Sequence, residues 1–131
     1  MGRDDRGVAQ AWAVYEQRWA ELNAALGAGA PDPLTFAGVP WPVREAPRQA
    51  DDLRPQAIKG FVLAAAHSPG VPKRERIRRA LKRWHPDKFA RVVDRVEDGE
   101  KEAVRAAAGV VVRCLNDMLE KENDAGERCQ W

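Results

Sequence analysis

The chain has 131 residues, 44% hydrophobic and 32% charged, with a formal net charge of +2. That length suits one compact core, and the composition is ordinary for a soluble globular protein. No apolar run approaches the roughly 20 residues that span a bilayer, so no membrane partner is expected, and two cysteines beside two histidines give no zinc-ligand spacing.

The opening Met1-Gly2-Arg3-Asp4-Asp5-Arg6 carries acids and has no apolar stretch behind it, which argues against a signal peptide. Arg6 stands where a myristoylation start would carry Ser or Thr. Cys114, on the edge of an apolar helix face, and Cys129, in a polar tail, are expected to be free thiols in a reducing compartment, cytoplasmic or nuclear. The charge is unevenly spread. Lys73–Arg83 carries seven basic residues against Glu75, or +6, which leaves the rest of the chain at −4. Such a concentration is an electrostatic footprint for an acidic partner surface, protein or nucleic acid.

Val8, Trp12, Tyr15, Trp19, Leu22 and Leu26 recur at spacings of 4, 3, 4, 3 and 4, which predicts a first helix with one apolar stripe. Gly27-Ala28-Gly29-Ala30-Pro31-Asp32-Pro33 stops it. In Leu34–Pro47, Pro40, Pro42 and Pro47 forbid a helix or a central strand. Phe36, Val39, Trp41 and Val43 nevertheless supply anchors, so the segment reads as an extended strap lying across the helices. The alternative is a proline-rich ligand for a partner's aromatic groove.

A second helix is predicted from about Pro55 to Ala66, capped by Asp51 or Asp52, with Ile58, Phe61, Val62 and Ala65 on its apolar face. Ser68-Pro69-Gly70-Val71-Pro72 makes a turn, with Pro72 suited to the first turn of a third helix over Lys73–Trp84. There Ile77, Ala80, Leu81 and Trp84 cover an arc of roughly 100°, and Arg74, Arg76, Arg78, Arg79, Lys82 and Arg83 occupy most of the remainder. Pro86 ends this helix. Phe89, Val92, Val93 and Val96 predict a short fourth helix ending near Asp98-Gly99. A last helix is expected over about Glu100–Asn123, burying Val104, Ala108, Val111, Leu115, Met118 and Leu119. No segment alternates with period two, so the fold class is all-α. A single domain over 1–131 is expected: an N-terminal helix and strap in 1–50, a helical region in 51–124 and a flexible tail in 125–131.

His85-Pro86-Asp87 follows the basic helix directly and is followed by Lys88-Phe89. This arrangement resembles a J domain, the module that activates DnaK-class heat-shock ATPases, over about Pro55 to Asn123. Ile58–Leu63 stands where that family has its first helix, Ile77 matches a core position, and Trp84 replaces a frequent Tyr. The resemblance implies an antiparallel helix pair joined by the His-Pro-Asp loop. It also implies that Asp87 pairs with an Arg of the ATPase while His85 braces the turn at Pro86. Arg74, Arg78, Arg79, Lys82, Arg83 and Lys88 would form the docking surface, acting mainly on association rate and specificity. Phe89–Gly99 reads as an insertion relative to that family, Lys73 occupies a usually apolar position, and the Lys/Arg-rich motif late in the third helix is absent.

A narrower likeness accommodates these departures. Trp84-His85-Pro86-Asp87-Lys88-Phe89, Cys114-Leu115-Asn116-Asp117, Tyr15-Glu16-Gln17-Arg18-Trp19 and Phe36-Ala37-Gly38-Val39-Pro40-Trp41-Pro42 together resemble the C-terminal region of NF-kappa-B-inhibitor-like proteins and related short fungal proteins. That likeness implies a link to nuclear RNA processing or transcription control.

No phosphate-binding glycine loop, activated nucleophile or paired-carboxylate site is visible, so neither an enzyme nor a cofactor is expected. Two readings stay open. One is a co-chaperone adaptor docking on a DnaK-class ATPase. The other is a protein- or RNA-binding module on the same scaffold, its basic helix against phosphate. At the level of residues, Asp87 would in the plainest case cap the helix that begins near Lys88, with His85 a favourable cation ending the helix before it.

Overall fold

The computed structural model describes residues 5–29 and 33–128, and these described residues form five α-helices. They are α1 (Asp5–Ala28), α2 (Pro55–Val62), α3 (Lys73–Trp84), α4 (Pro86–Asp94) and α5 (Lys101–Arg128). Among the described residues there is no strand, only an isolated parallel bridge between Leu34 and Val96. The all-α class stands.

The stripe on α1 faces inward as its spacing requires: Tyr15, Trp19 and Leu22 are buried, while Val8, Trp12 and Leu26 toward its ends are half-buried. Gly29 ends the helix in the left-handed region at φ 71°, donating to the Leu26 carbonyl. A residue without Cβ adopts that conformation without steric cost. The expected breaker residues 30–32 lie outside the described residues.

The segment after it packs on its own chain. Leu34 donates to the Arg95 carbonyl and accepts from the Glu97 amide, fastening the strap to the α4–α5 connection. Thr35 Oγ1 caps a 3-10 turn at Phe36–Gly38, and Val39 through Val43 are all buried. Buried carbonyls of such a run need donors, because prolines rule out a neighbouring ladder. Two indoles supply them: Trp19 Nε1 donates to the Pro40 carbonyl at 3.1 Å and Trp41 Nε1 to the Phe36 carbonyl at 2.9 Å. The proline-rich segment is therefore core, with its anchors in cis.

Helix α2 is shorter than the sequence suggests, ending at Val62 instead of Ala66. Side chains intercept the carbonyls that would otherwise turn outward: His67 Nε2 binds the Phe61 carbonyl at 2.6 Å, and the Arg76 guanidinium donates to Ala64, Ser68 and Val71. The turn also needs two residues at positive φ, Ser68 and Gly70. Neither Asp51 nor Asp52 caps α2. Both lie in a separate 3-10 turn at Ala50–Asp52, and Asp52 accepts from the Arg48 amide instead. Arg54 holds the cap position without a side-chain bond, and Pro55 at the first helical position has no N–H to satisfy.

Helix α3 has the predicted limits, with Pro72 as its N-cap residue instead of lying in the first turn. It runs antiparallel to α5. Arg74 at its start bonds to Asn123 late in α5, while Trp84 at its end lies beside Arg105, Ala108 and Gly109 early in α5. The expected α5 face is buried at Val104, Ala108, Val111, Leu115 and Met118, with Leu119 half-buried. The helix continues to Arg128, so the tail expected over 125–131 is helical through 128; the rest of it, Cys129 included, lies outside the described residues. Cys114 is a buried free thiol, pushed up by burial, with Sγ 3.7 Å from the Pro55 carbonyl. One core runs from Tyr15 to Met118.

Candidate functional site

The last turn of α3 ends in a cluster of rings. Trp84 is fully buried and packs on Phe89 at 4.9 Å between centroids, Trp19 at 5.2 Å and Trp41 at 5.4 Å. Its indole N–H donates to the Tyr15 hydroxyl. Three separate segments of chain thus fix the residue that immediately precedes His85. Such contacts add specific geometry to the large area each ring removes from water.

From that anchor the backbone turns a corner and starts α4 at once. His85 leaves helical geometry at ψ 134°, Pro86 takes the first helical position, and the His85 carbonyl accepts from the Lys88 and Phe89 amides. His85 is the cap of α4: its Nδ1 accepts from the Asp87 amide at 3.2 Å. The plainest sequence reading, with Asp87 as the cap and His85 as a helix-ending cation, is thereby replaced. The short helix begins two residues earlier than Lys88, because an imidazole one residue before a proline reaches the amide that follows it. Accepting this bond requires an Nδ1 without a proton.

The corner is open to solvent. The side chain of Asp87 is 93% exposed and that of His85 59%, with 3.8 Å between Nδ1 and Asp87 Oδ2. In the first turn of α4 the carboxylate faces the positive end of the helix dipole. It takes no part in the cap.

The basic residues separate into two groups. Arg76 is turned inward to the α2–α3 turn. Arg83, expected on the docking surface, is instead a clamp: it grips Glu16 through two bonds, at 2.7 and 3.1 Å, and lies over the Tyr15 and Trp19 rings. Burial works against its charge, but the bonds from Glu16 and Tyr15 outweigh that and hold the guanidinium more firmly protonated than usual. Arg74 bonds to Asn123, and Arg79 reaches Glu75 at 3.4 Å along its own helix. Arg78, Lys82 and Lys88 are exposed.

Two neighbouring features escaped the sequence reading. Arg91 is exposed on α4 and joins Lys82 and Lys88 around a hollow between α1, α3 and α4. Its spacing of three from Lys88 becomes informative only once α4 is known to start at Pro86. On the other side of the corner an apolar groove of about 470 Å³ runs between α4 and α5, floored by Pro86, Phe89, Ala90, Ala108 and Gly109. Among the described residues no three His, Cys, Asp or Glu gather as a metal site, and no helix is long and apolar enough to cross a membrane. No protein-family model, curated protein or solved structure matches this chain.

Proposed function

We propose that the protein is a non-enzymatic, J-like adaptor whose corner at His85-Pro86-Asp87 docks on a DnaK-class heat-shock ATPase, in the cytoplasm or nucleus. One observation carries the reading: a carboxylate almost wholly in solvent stands on a backbone turn that begins at the buried Trp84, itself packed among rings, and passes through Pro86. Arg78, Arg79 and Lys82 on α3 and Lys88 on α4 are exposed cations suited to an acidic partner face, with Arg74 farther along α3. Arg83 contributes by holding α3 on α1 rather than by contact. Steering of this kind raises association rate more than it lengthens the life of the complex.

The deciding experiment is single-turnover ATP hydrolysis by such an ATPase with and without this protein. Hydrolysis should accelerate with the wild type and stay at its basal rate with Asp87→Asn. Absence of stimulation by the wild type would move the conclusion to the second reading, a protein- or RNA-binding module on the same scaffold. The exposed cations Lys82, Lys88 and Arg91 favour that alternative, and its mark would be binding that falls steeply with salt.

A further inference from the structure

We propose that the hollow between α1, α3 and α4 binds a compact phosphate-rich ligand carrying two or more clustered phosphoryl groups. Among the described residues, five cations line it, Arg79, Lys82 and Arg83 from α3 and Lys88 and Arg91 from α4, and no carboxylate does. The spacings are those of single helix faces: i, i+3 and i+4 on α3, i and i+3 on α4. The two faces therefore converge from different elements and do not form one solvated stripe. The hollow measures about 420 Å³, within the range of small-molecule sites.

The nearby acids leave this charge largely unbalanced. Glu16 is committed to Arg83, and the Glu75–Arg79 pair is long and exposed, which makes it weak. Among the described residues, Lys82, Lys88 and Arg91 have no carboxylate within bonding distance. Converging cations create a local positive potential that a multivalent anion relieves. Phosphoryl groups suit the mixture, offering paired oxygens to guanidinium forks and concentrated charge to ammonium groups.

The lining also discriminates among anions. Base stacking needs an open ring face, but Trp19 is only 2% exposed and lies beneath the Arg83 guanidinium. A peptide anchor needs an apolar recess, but Val92 is as thoroughly covered as Trp19, which leaves the half-buried Leu26 as the remaining apolar side chain of the lining. What the hollow offers a ligand is charge at close quarters. This inference is independent of docking on an ATPase and is tested with none present.

The test is calorimetric titration of the full chain with tripolyphosphate at near-physiological ionic strength, with polyuridylate and polyglutamate as parallel arms. Saturable one-to-one binding is expected, weakened more than about tenfold by Lys82→Glu and by Arg91→Glu. Arg113→Glu makes the same charge change outside the hollow and should alter affinity less than about twofold. Thermal melts establish that each variant folds; should either reversal unfold the chain, Lys82→Gln and Arg91→Gln should still rank below Arg113→Glu in affinity. The proposal is overturned by non-saturating heats or by equal losses in Arg113→Glu. It is equally overturned by polyglutamate matching tripolyphosphate at equal charge, or by polyuridylate binding where tripolyphosphate does not.

Discussion

Helix α3 is fastened at its first turn by directional polar bonds and at its last turn by packed rings. At the start, Arg76 gathers the carbonyls of Ala64, Ser68 and Val71, and His67 lies flat on Trp12 with 3.7 Å between ring centroids. At the end, Trp84 sits among Trp19, Trp41 and Phe89. The difference follows from what each end must accommodate. An irregular turn exposes carbonyls that need donors, whereas a helix end that projects a corner needs rigid bulk beneath it. The two ends should therefore fail under different perturbations.

The ring end should be the costlier to break. Trp84→Ala removes a fully buried side chain and leaves a cavity bounded by rings from three segments, so a loss of about 3–5 kcal/mol is expected in denaturant unfolding. Trp41→Ala should fall in the same range, although Trp41 lies in a proline-rich segment that would cost little if it were an exposed ligand. A loss below about 1 kcal/mol for Trp41→Ala would show that the strap is dispensable to the core.

The polar end should show a smaller loss. Arg76→Ala removes a charged donor from three part-buried carbonyls, two of which, Ala64 and Ser68, keep a backbone amide, for about 2–3 kcal/mol in the same measurement. Arg76→Lys should recover little of it, because an ammonium cannot reproduce a fork that spans three acceptors. This end should also respond to pH through His67. Burial, foremost, holds His67 below histidine's ordinary 6.5 despite the opposing pull of the Phe61 carbonyl. The unfolded chain therefore binds the proton more readily, and stability rises with pH. His67's contribution is complete above about pH 6.5 and is lost as pH falls toward its lower folded value. Thermal melts from pH 7.5 downward should show that decline in the wild type and a flatter profile in His67→Gln. A wild-type profile no steeper than the variant's would remove His67 from this role.

The same contrast separates what the sequence made legible from what it did not. Periodicity located α1, α3 and the buried face of α5, since helices with one apolar stripe announce their inner side through spacing alone. Trp41 was legible as an anchor because prolines on both sides left it no regular structure to serve. The early end of α2 was not legible: Arg76 looks like one more cation on a basic helix, and only the turn folded around it reveals three waiting acceptors. Arg83 misleads in the same way, since its partner Glu16 is 67 residues away. Within the corner, the tripeptide was visible, but the assignment of cap to His85 and open carboxylate to Asp87 depends on a backbone angle that no pattern of residue types encodes.

That assignment yields the smallest stability effects and the most informative pair. His85→Ala deletes the cap of α4 and should cost about 1 kcal/mol. Asp87→Asn leaves the cap intact and weakens only an exposed charge at a helix start, for about 0.5 kcal/mol or less. If the corner works by presenting a carboxylate, the order reverses in ATPase stimulation: Asp87→Asn, the milder change to the fold, should remove all of it. His85→Ala should retain a fraction, because Pro86 and the ring cluster still aim the turn. Should stimulation instead track stability across the two variants, the corner matters as a piece of scaffold and the carboxylate is not the contact.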